Sequence, residues 1–220
     1  MYIEMTNECQ MRCRHCAVNS KRVGHGRYIS TADAIKALDL RSKNPLLKSV
    51  AFSGAESTLH PDFLRILRHA IRLGFGIGVV TNGVNEKIAL ILAHWARRPI
   101  GMRVWLSDDQ YHDSAMVSKR VVETYTRLAK LPLKRGAYGV AITGQRHVLT
   151  RMGRAVRLKN VQYNNDRCCQ GNIAAWYVRT NGMVAVCSCP KSRTIGHIQQ
   201  IEDFPPTGFG HEINDQENNR

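Results

Sequence analysis

The fold is decided by residues 48 to 83, KSVAFSGAESTLHPDFLRILRHAIRLGFGIGVVTNG. Its two ends, KSVAFSG and GIGVVTNG, are apolar runs typical of strands buried in a parallel sheet. The segment between them predicts an amphipathic helix, with Pro61 in the first turn and Leu64, Leu67 and Ile71 on one face. A strand, a helix and a second strand in this order predict a right-handed βαβ unit.

The same alternation continues on both sides of this unit. Upstream, residues 2–5 predict a first strand, and Ser30 with Asp33 forms a capping box that starts a helix. Downstream, helices at 85–96 and 115–131 alternate with strands at 101–109, 137–143 and 146–151. About six units are too few to close an eight-unit barrel. We therefore expect an α/β fold, an open, partial (β/α)6 barrel of parallel strands over residues 1–155, with functional residues at the C-terminal strand ends.

A different pattern begins near residue 157. Residues 173–189, IAAWYVRTNGMVAVCSC, predict a β-hairpin around an Asn-Gly turn. We therefore divide the chain into the barrel (1–155), a small cysteine-bearing hairpin extension (156–200) and a polar, mobile tail (201–220).

Composition restricts the class of protein. The formal charge of +15 favours an anionic partner, so nucleic acid stays an alternative, although no aromatic RNA-binding motif accompanies the charge. No apolar run is long enough to span a membrane, and the N-terminus carries no secretory signal pattern. Seven cysteines are an odd number for a disulfide scaffold. We expect a cytoplasmic protein with metal-bound thiolates and no membrane partner.

Three cysteines share one short loop, NECQMRCRHCAVNS, residues 7 to 20. Cys9, Cys13 and Cys16 have the spacing C-x3-C-x2-C, and Arg12 and Arg14 favour the thiolate form. Four thiolates would close a structural zinc site, whereas three leave an open position on the metal, which suits chemistry. The alternatives are a zinc site completed from elsewhere in the chain, or unligated cysteines.

This loop resembles the cysteine motif of the radical S-adenosylmethionine (radical SAM) enzymes. The resemblance implies that Cys9, Cys13 and Cys16 hold a [4Fe–4S] cluster and that S-adenosylmethionine binds its open iron. It further implies a one-electron donor, reductive cleavage of S-adenosylmethionine to a 5′-deoxyadenosyl radical, and hydrogen abstraction from a substrate. His15 is expected to pack beside the cluster, with an exposed loop histidine as the alternative.

Residues 52–63, FSGAESTLHPDF, resemble the Gly-Gly-Glu-Pro segment of the same family. Gly54 and Glu56 match it, which implies that they hold the amine of S-adenosylmethionine; the alternative for Glu56 is a surface acid. Ala55 replaces the second glycine, which is acceptable only if its φ is negative, and Ser57 replaces the proline.

Further cofactor-binding residues are expected at the ends of later strands. The resemblance places Asn82 at the floor of the site and brings Ser107 and Asp109 to the cofactor ribose or carboxylate. For Ser107 and Asp109 the alternative is helix capping. Arg154, in RMGRA, is expected to pair with a carboxylate, and a solvated arginine is the alternative.

Four cysteines remain, Cys168, Cys169, Cys187 and Cys189, on either side of the predicted hairpin. Their spacing resembles the start of the extensions called SPASM and twitch, which implies a second, auxiliary iron–sulfur cluster. A four-thiolate zinc site and unligated or redox-active thiols are the alternatives.

The function favoured by these features is a radical SAM enzyme that acts on a peptide substrate. A radical SAM enzyme acting on a nucleotide or RNA is the first alternative, because the chain is strongly basic. A non-catalytic iron–sulfur or zinc protein that binds nucleic acid is the second.

Overall fold

The computed structural model describes residues 1–44, 48–133, 135–143, 148–150, 154, 157–159, 162–164, 176–186 and 192–204. The helices are α1 (Thr31–Ser42), α2 (Phe63–Arg72), α3 (Glu86–Trp95) and α4 (Lys119–Lys130). The strands are β1 (Tyr2–Thr6), β2 (Ser49–Gly54), β3 (Gly76–Thr81), β4 (Met102–Ser107), β5 (Gly139–Thr143), β6 (Val148–Thr150), β7 (Gln162–Asn164), β8 (Tyr177–Val178), β9 (Met183–Ala185) and β10 (Thr194–His197).

The main sheet is mostly parallel and open. Its strand order is β10-β9-β8-β1-β2-β3-β4-β5. Strands β1 to β5 run parallel and are joined by α1 to α4, so their C-terminal ends lie at one edge. The predicted α/β class and unclosed, partial barrel are confirmed.

The sequence pattern explains why these elements form and pack. Along β1, Ile3 and Met5 are fully buried, as the alternation of a strand with one covered face requires. The predicted cap of α1 is present, since Ser30 Oγ accepts a hydrogen bond of 3.0 Å from the Asp33 N–H. Phe52 of β2 meets Phe63 of α2 edge to face at 5.8 Å between ring centroids. The core therefore lies between the sheet and its helices.

The sixth strand forms but has a different partner from the one predicted. Val148 of β6 pairs with Gln162 of β7 in a separate parallel ladder, and β7 is not predicted by the sequence. Within the described residues, the main sheet therefore contains five barrel strands rather than six. An apolar pattern identifies a strand, but it does not identify the partner, which is chosen by contacts distant in sequence.

The predicted hairpin is present as β8 and β9. Gly182 has a φ of +74° in the turn that joins them, a conformation that favours glycine. The hairpin is not a separate layer, because Tyr177 of β8 pairs with Tyr2 of β1 and extends the main sheet. Strand β10, which the sequence does not predict, then pairs with β9.

The predicted tail begins too early at residue 201. Phe204 is buried and stacks on Trp176 with 5.7 Å between ring centroids, so residues 201–204 pack on the fold. Among the described residues, every helix is too short or too polar to cross a membrane.

Candidate active site

The three-cysteine loop leaves the C-terminal end of β1 and returns along itself. Cys9 N–H donates to the Lys21 carbonyl at 3.0 Å, and Lys21 N–H donates to the Asn7 carbonyl at 2.8 Å. Farther along, Ile29 N–H donates to the Met5 carbonyl at 3.1 Å, next to β1. These bonds close the loop and hold the thiols at the C-terminal edge of the sheet.

Arg154 clamps the far side of this loop. Its Nε donates to the Cys13 carbonyl at 3.0 Å, and its two terminal nitrogens donate to the Ser20 carbonyl at 2.8 Å and to Ser20 Oγ at 2.9 Å. Its backbone N–H donates to the Cys16 carbonyl at 2.8 Å. A solvated arginine is therefore the wrong interpretation, and the guanidinium fixes the loop backbone, a role that the sequence does not reveal.

The surroundings of the thiols suit thiolates bound to iron. Cys9 Sγ accepts from Asn82 Nδ2 at 3.3 Å, and Cys16 Sγ accepts from the Ser20 N–H at 3.4 Å. Burial raises the pKa of the Cys9 and Cys13 thiols to about 11 each, so the anionic forms need nearby positive charge. Iron ions would supply that charge and release the protons. Three thiols, two of which accept from N–H donors at sulfur, thus fit a [4Fe–4S] cluster with an open position.

The turn after β2 is fastened to the cysteine loop by its backbone. Ala55 N–H donates to the Thr6 carbonyl at 2.9 Å, and Glu56 N–H donates to the Glu8 carbonyl at 3.0 Å. Gly54 has a φ of +111°, and a Cβ there would collide with the Thr6 carbonyl oxygen, so only glycine fits. The φ of Ala55 is negative, as an alanine at this position requires. Asn19 is the sole non-glycine residue with positive φ in the described part of the chain.

Glu56 is buried beneath this turn, so the interpretation as a surface acid is wrong. Its Oε1 accepts from the Thr58 hydroxyl at 2.7 Å, the Thr58 N–H at 3.2 Å and the Thr81 hydroxyl at 2.9 Å. Its Oε2 accepts from the Asn82 N–H at 2.7 Å. Burial raises the pKa of Glu56, and these bonds oppose that change by favouring the carboxylate. The carboxylate joins the ends of β2 and β3.

Asn82 connects Glu56 to the three-cysteine loop. Its backbone N–H binds Glu56, while its side-chain Nδ2 donates to Cys9 Sγ and, at 3.3 Å, to Gln10 Oε1. Its Oδ1 accepts from the Val84 N–H at 3.0 Å, which fixes the amide orientation. Asn82 thus lies beside the Cys9 thiol.

Asp109 forms a cluster with two histidines beside Cys13. His112 Nδ1 lies 2.8 Å from Asp109 Oδ1, and His15 Nε2 lies 3.4 Å from Asp109 Oδ2. Burial acts to raise the pKa of Asp109, but the hydrogen bonds from His112 and the Tyr111 N–H and the charge of the histidines outweigh it and lower the pKa. Ligand atoms of Cys13, His15 and His112 all lie within 4.8 Å of one another.

His15 packs beside the thiols, so an exposed loop histidine is the wrong interpretation. Its ring stacks on Tyr111 with 4.9 Å between centroids and an interplanar angle of 29°. Its side chain is only 9% exposed. The sequence motifs do not reveal that Tyr111 stacks on His15 or that His112 binds Asp109. The position of both residues just after β4 is the one signal that could have identified them.

Ser107 and Asp109 do not cap an α-helix, because α4 begins after Ser118, whose side chain accepts from the Val121 N–H. Ser107 is buried and pairs in register with Thr143 at the ends of β4 and β5.

The side chains of Cys9, Cys13, Cys16, Glu56, Asn82 and Asp109 therefore meet at one edge, with Arg154 behind them. Cys168, Cys169, Cys187 and Cys189 lie outside the described residues.

Comparison with known proteins identifies a family. The model of the Radical SAM superfamily matches residues 3–130, more than half of the chain. The tungsten-containing aldehyde ferredoxin oxidoreductase cofactor-modifying protein of Pyrococcus furiosus is 34% identical over 84 residues, which are 38% of this chain and 23% of that protein. The PqqA peptide cyclase of Rhodopseudomonas palustris is 27% identical over 139 residues, which are 60% of this chain and 37% of that protein. The matches thus span less than two fifths of either relative.

Solved structures share the fold. BtrN in complex with AdoMet (S-adenosylmethionine) and 2-DOIA has a TM-score of 0.56 at 14% identity, covering 90% of this chain and 77% of that one. The structure of anSMEcpe with bound AdoMet and Cp18Cys peptide has a TM-score of 0.53 at 14% identity, covering 91% of this chain and 77% of that one. At such identities the likeness extends to the fold alone.

Proposed function

Because this chain belongs to the radical SAM superfamily, we propose that it is an enzyme that cleaves S-adenosylmethionine reductively and abstracts hydrogen from a peptide substrate. Cys9, Cys13 and Cys16 would hold the [4Fe–4S] cluster. When bound, the cluster supplies an electron to the sulfonium of S-adenosylmethionine and so generates the 5′-deoxyadenosyl radical. The observation that carries the proposal is the loop of three thiols, fixed at the sheet edge with N–H donors at the sulfurs of Cys9 and Cys16.

The chain's own residues would position the cofactor. The turn from Gly54 to Glu56 would face the amine of S-adenosylmethionine with its backbone, because the Glu56 carboxylate already accepts four hydrogen bonds below the surface. Glu56 then acts as a positioning residue through Asn82. Ser107 and Asp109 remain our proposed contacts for the ribose or carboxylate.

Arg154 would keep the cluster loop in place rather than bind the cofactor itself. Three of its guanidinium bonds go to the backbone of Cys13 and to Ser20. A loop held this firmly keeps the three sulfurs at the spacing that the cluster needs, which limits loss of iron when the open position exchanges its ligand.

A peptide substrate is supported by the comparisons rather than by the site. One matched relative is a peptide cyclase, and one matched structure contains a bound peptide. The predicted extension with Cys168, Cys169, Cys187 and Cys189 is proposed to hold an auxiliary cluster, as in peptide-modifying members that this chain resembles.

A nucleotide or RNA substrate is the second candidate, favoured by one surface feature. A groove of about 420 Å³ between α3 and α4 is lined by His94, Arg98, Arg120 and Arg127 together with Trp95. Cationic and aromatic side chains in one groove suit a phosphate chain with stacked bases. The test is the binding of single-stranded RNA. Binding that weakens steeply as salt rises, and that is lost in Arg98→Glu/Arg127→Glu, would favour this candidate over the peptide.

The test of the catalytic proposal is anaerobic. The protein is reconstituted with iron and sulfide, reduced, and given S-adenosylmethionine, and 5′-deoxyadenosine is quantified. We expect product from the wild type and from Val18→Ala, which changes an exposed side chain of the same loop, and none from Cys13→Ala. A wild-type protein that carries its cluster and forms no 5′-deoxyadenosine, alone or with candidate peptides, would contradict the proposal.

A further inference from the structure

One cysteine, two histidines and one aspartate meet where the three-cysteine loop contacts the segment after β4. Ligand atoms of Cys13, His15 and His112 all lie within 4.8 Å of one another. The side chains of His15 and His112 are 9% and 11% exposed, and the side chain of Asp109 is fully buried. Groups that bind a metal ion, or that orient its ligands, are therefore brought together at one largely buried point.

Asp109 contacts both imidazole rings. Its Oδ1 lies 2.8 Å from His112 Nδ1, and its Oδ2 lies 3.4 Å from His15 Nε2. A carboxylate that holds one nitrogen of an imidazole while the other nitrogen binds a metal is the usual arrangement around histidine ligands. One buried carboxylate serves two histidines in this way here.

The ligand atoms and their charges select the cation. One thiolate and two imidazoles suit Zn²⁺, whereas Mg²⁺ and Ca²⁺ prefer oxygen ligands. The charges also balance, because a divalent ion would be offset by the thiolate of Cys13 and the carboxylate of Asp109. A group without net charge avoids the large free-energy cost of burying an unpaired ion.

Neighbouring contacts fix these ligands close to the geometry that zinc needs. Arg154 Nε donates to the Cys13 carbonyl at 3.0 Å, the Tyr111 ring stacks on His15 at 4.9 Å between centroids, and the Tyr111 N–H donates to Asp109 Oδ1 at 3.0 Å. Tetrahedral zinc, with Zn–S of about 2.3 Å and Zn–N of about 2.0 Å, places its ligand atoms about 3.3–3.6 Å apart. Small side-chain rotations from the present separations would reach that spacing.

We infer that Cys13, His15 and His112 form a site for a single zinc ion, with Asp109 as the carboxylate that orients both histidines. This site differs from a zinc site of three thiolates, because it uses neither Cys9 nor Cys16. On binding, the Cys13 thiol loses one proton to solvent, the two histidines bind as neutral rings, and no electron is transferred. The fourth position of the ion stays open to water.

Zinc at this site would compete with an iron–sulfur cluster for Cys13. This consequence rests on the proposed function, whereas the site itself does not. A chain that binds zinc through Cys13 cannot offer all three thiolates of the loop to a cluster. Bound zinc would therefore block cluster assembly, which makes assembly sensitive to the zinc level.

The test titrates the full chain, reduced and free of iron, with Co²⁺, which takes the place of zinc and reports its ligands by visible absorption. The affinity for Zn²⁺ is then measured by its displacement of Co²⁺. The site variants are His15→Ala and His112→Ala. Their matched control is His25→Ala, which removes an exposed histidine of the same loop. The four cysteines of the predicted extension are unchanged in every protein, so ions bound there contribute equally to all of them.

We expect the wild type and His25→Ala to bind Co²⁺ equally, with the absorption of a tetrahedral ion that has a thiolate ligand. His15→Ala and His112→Ala should each weaken this binding by at least about 100-fold, since loss of an orienting residue alone costs about 10–100-fold. Asp109→Asn should weaken it by about 10–100-fold while the absorption maxima of bound Co²⁺ stay the same, as expected of a residue that orients the ligands without binding the ion.

A second pair of variants separates this site from a three-thiolate site. Cys13→Ala should lose the binding, and Cys9→Ala/Cys16→Ala should bind Co²⁺ as the wild type does. The reverse dependence on cysteines would overturn the inference, and so would unchanged binding in both histidine variants. If the histidine variants do not fold, the cysteine variants decide alone. Failure of the proposed function looks different, because then the chain would bind zinc at this site and still form no 5′-deoxyadenosine after reconstitution with iron and sulfide.

Discussion

The loop after β1 and the turn after β2 lie side by side at one edge of the sheet, yet they are held in different ways. The turn is short and buried, and its carboxylate, Glu56, accepts four hydrogen bonds, two from Thr58 of the turn and two from Thr81 and Asn82 at the end of β3. The loop is long and exposed, and it is fixed by backbone pairing and by the guanidinium of Arg154. A rigid buried turn thus supports a polar loop that carries the reactive groups.

This difference suits a site built around a cluster. A loop that presents three thiols cannot bury much apolar surface, so polar contacts must replace the hydrophobic packing that orders the barrel. Two backbone hydrogen bonds hold the loop against the ordered turn. They run from the N–H groups of Ala55 and Glu56 to the carbonyls of Thr6 and Glu8. Changes in the turn should therefore affect the whole domain, and changes in the loop should affect the site alone.

The strongest contrast is between the two buried carboxylates, Glu56 of the turn and Glu8 of the loop. Glu56→Gln must turn an amide NH2 towards an N–H donor, that of Thr58 or of Asn82, so the free energy of unfolding should fall by about 2–4 kcal/mol. Glu8→Gln can keep the Gly26 N–H as donor and offer its NH2 to the Tyr28 hydroxyl, so it should cost about 1 kcal/mol or less. Urea unfolding of both proteins measures the difference. Equal losses would show that turn and loop are one unit.

The next contrast is between neighbouring residues of the turn. Gly54→Ala should lower the free energy of unfolding by about 1–3 kcal/mol, because φ is positive there and a methyl group meets the Thr6 carbonyl. Ala55→Gly should change it by less than about 1 kcal/mol, since Ala55 needs no special conformation. Thermal unfolding of both variants measures the two losses of stability. A stable Gly54→Ala protein would mean that the turn is not the rigid support.

A change confined to the loop should leave the domain intact. Arg154→Ala removes three charged hydrogen bonds, worth about 1–3 kcal/mol locally, and should increase amide hydrogen exchange in residues 12–20 while the exchange of β2 to β5 stays the same. Reconstituted iron should also be lost faster to a chelator. Arg157→Ala, at an exposed arginine nearby, is the matched control and should behave as wild type. Faster exchange throughout the sheet would argue against a separately held loop.

The smallest effect concerns the other edge of β1, where Glu4 meets the hairpin. Burial raises the pKa of Glu4, and the Thr180 N–H and Arg179 only partly oppose it. The folded protein therefore binds this proton more tightly than the unfolded chain, so stability should fall as pH rises from the ordinary glutamate range through the raised pKa. Glu4→Gln should remove that decline without altering the cluster. The free energy of unfolding of both proteins is measured as a function of pH. An equal decline in the wild type and in Glu4→Gln would show that Glu4 is not the cause.

The sequence predicts the parts of this molecule that depend on local pattern. The βαβ unit at residues 48–83, the cap at Ser30 and the hairpin at Asn181-Gly182 each follow from residues adjacent in the chain. Gly54 could be identified because the family's motif requires glycine there. The partner of β6 and the attachment of the hairpin to β1 could not, since both depend on contacts more than ten residues apart in sequence.

The polar network of the site is the part that the sequence conceals. Nothing local shows that Glu56 reaches Asn82, that Asn82 reaches Cys9, or that His112 and His15 share Asp109. Arg154 lies more than 130 residues beyond the loop that it clamps. Each of these contacts is made across the ends of different strands, so it exists only after the sheet has formed.

The most direct test of the central claim is electron paramagnetic resonance of the reduced, reconstituted protein with and without S-adenosylmethionine. If the three-thiol loop holds a cluster with an open iron, the spectrum of the wild type should change when S-adenosylmethionine is added. That change should disappear in the variant with Cys9, Cys13 and Cys16 replaced by alanine, even if a second cluster still gives a signal. A wild-type spectrum that is the same with and without S-adenosylmethionine would contradict the account.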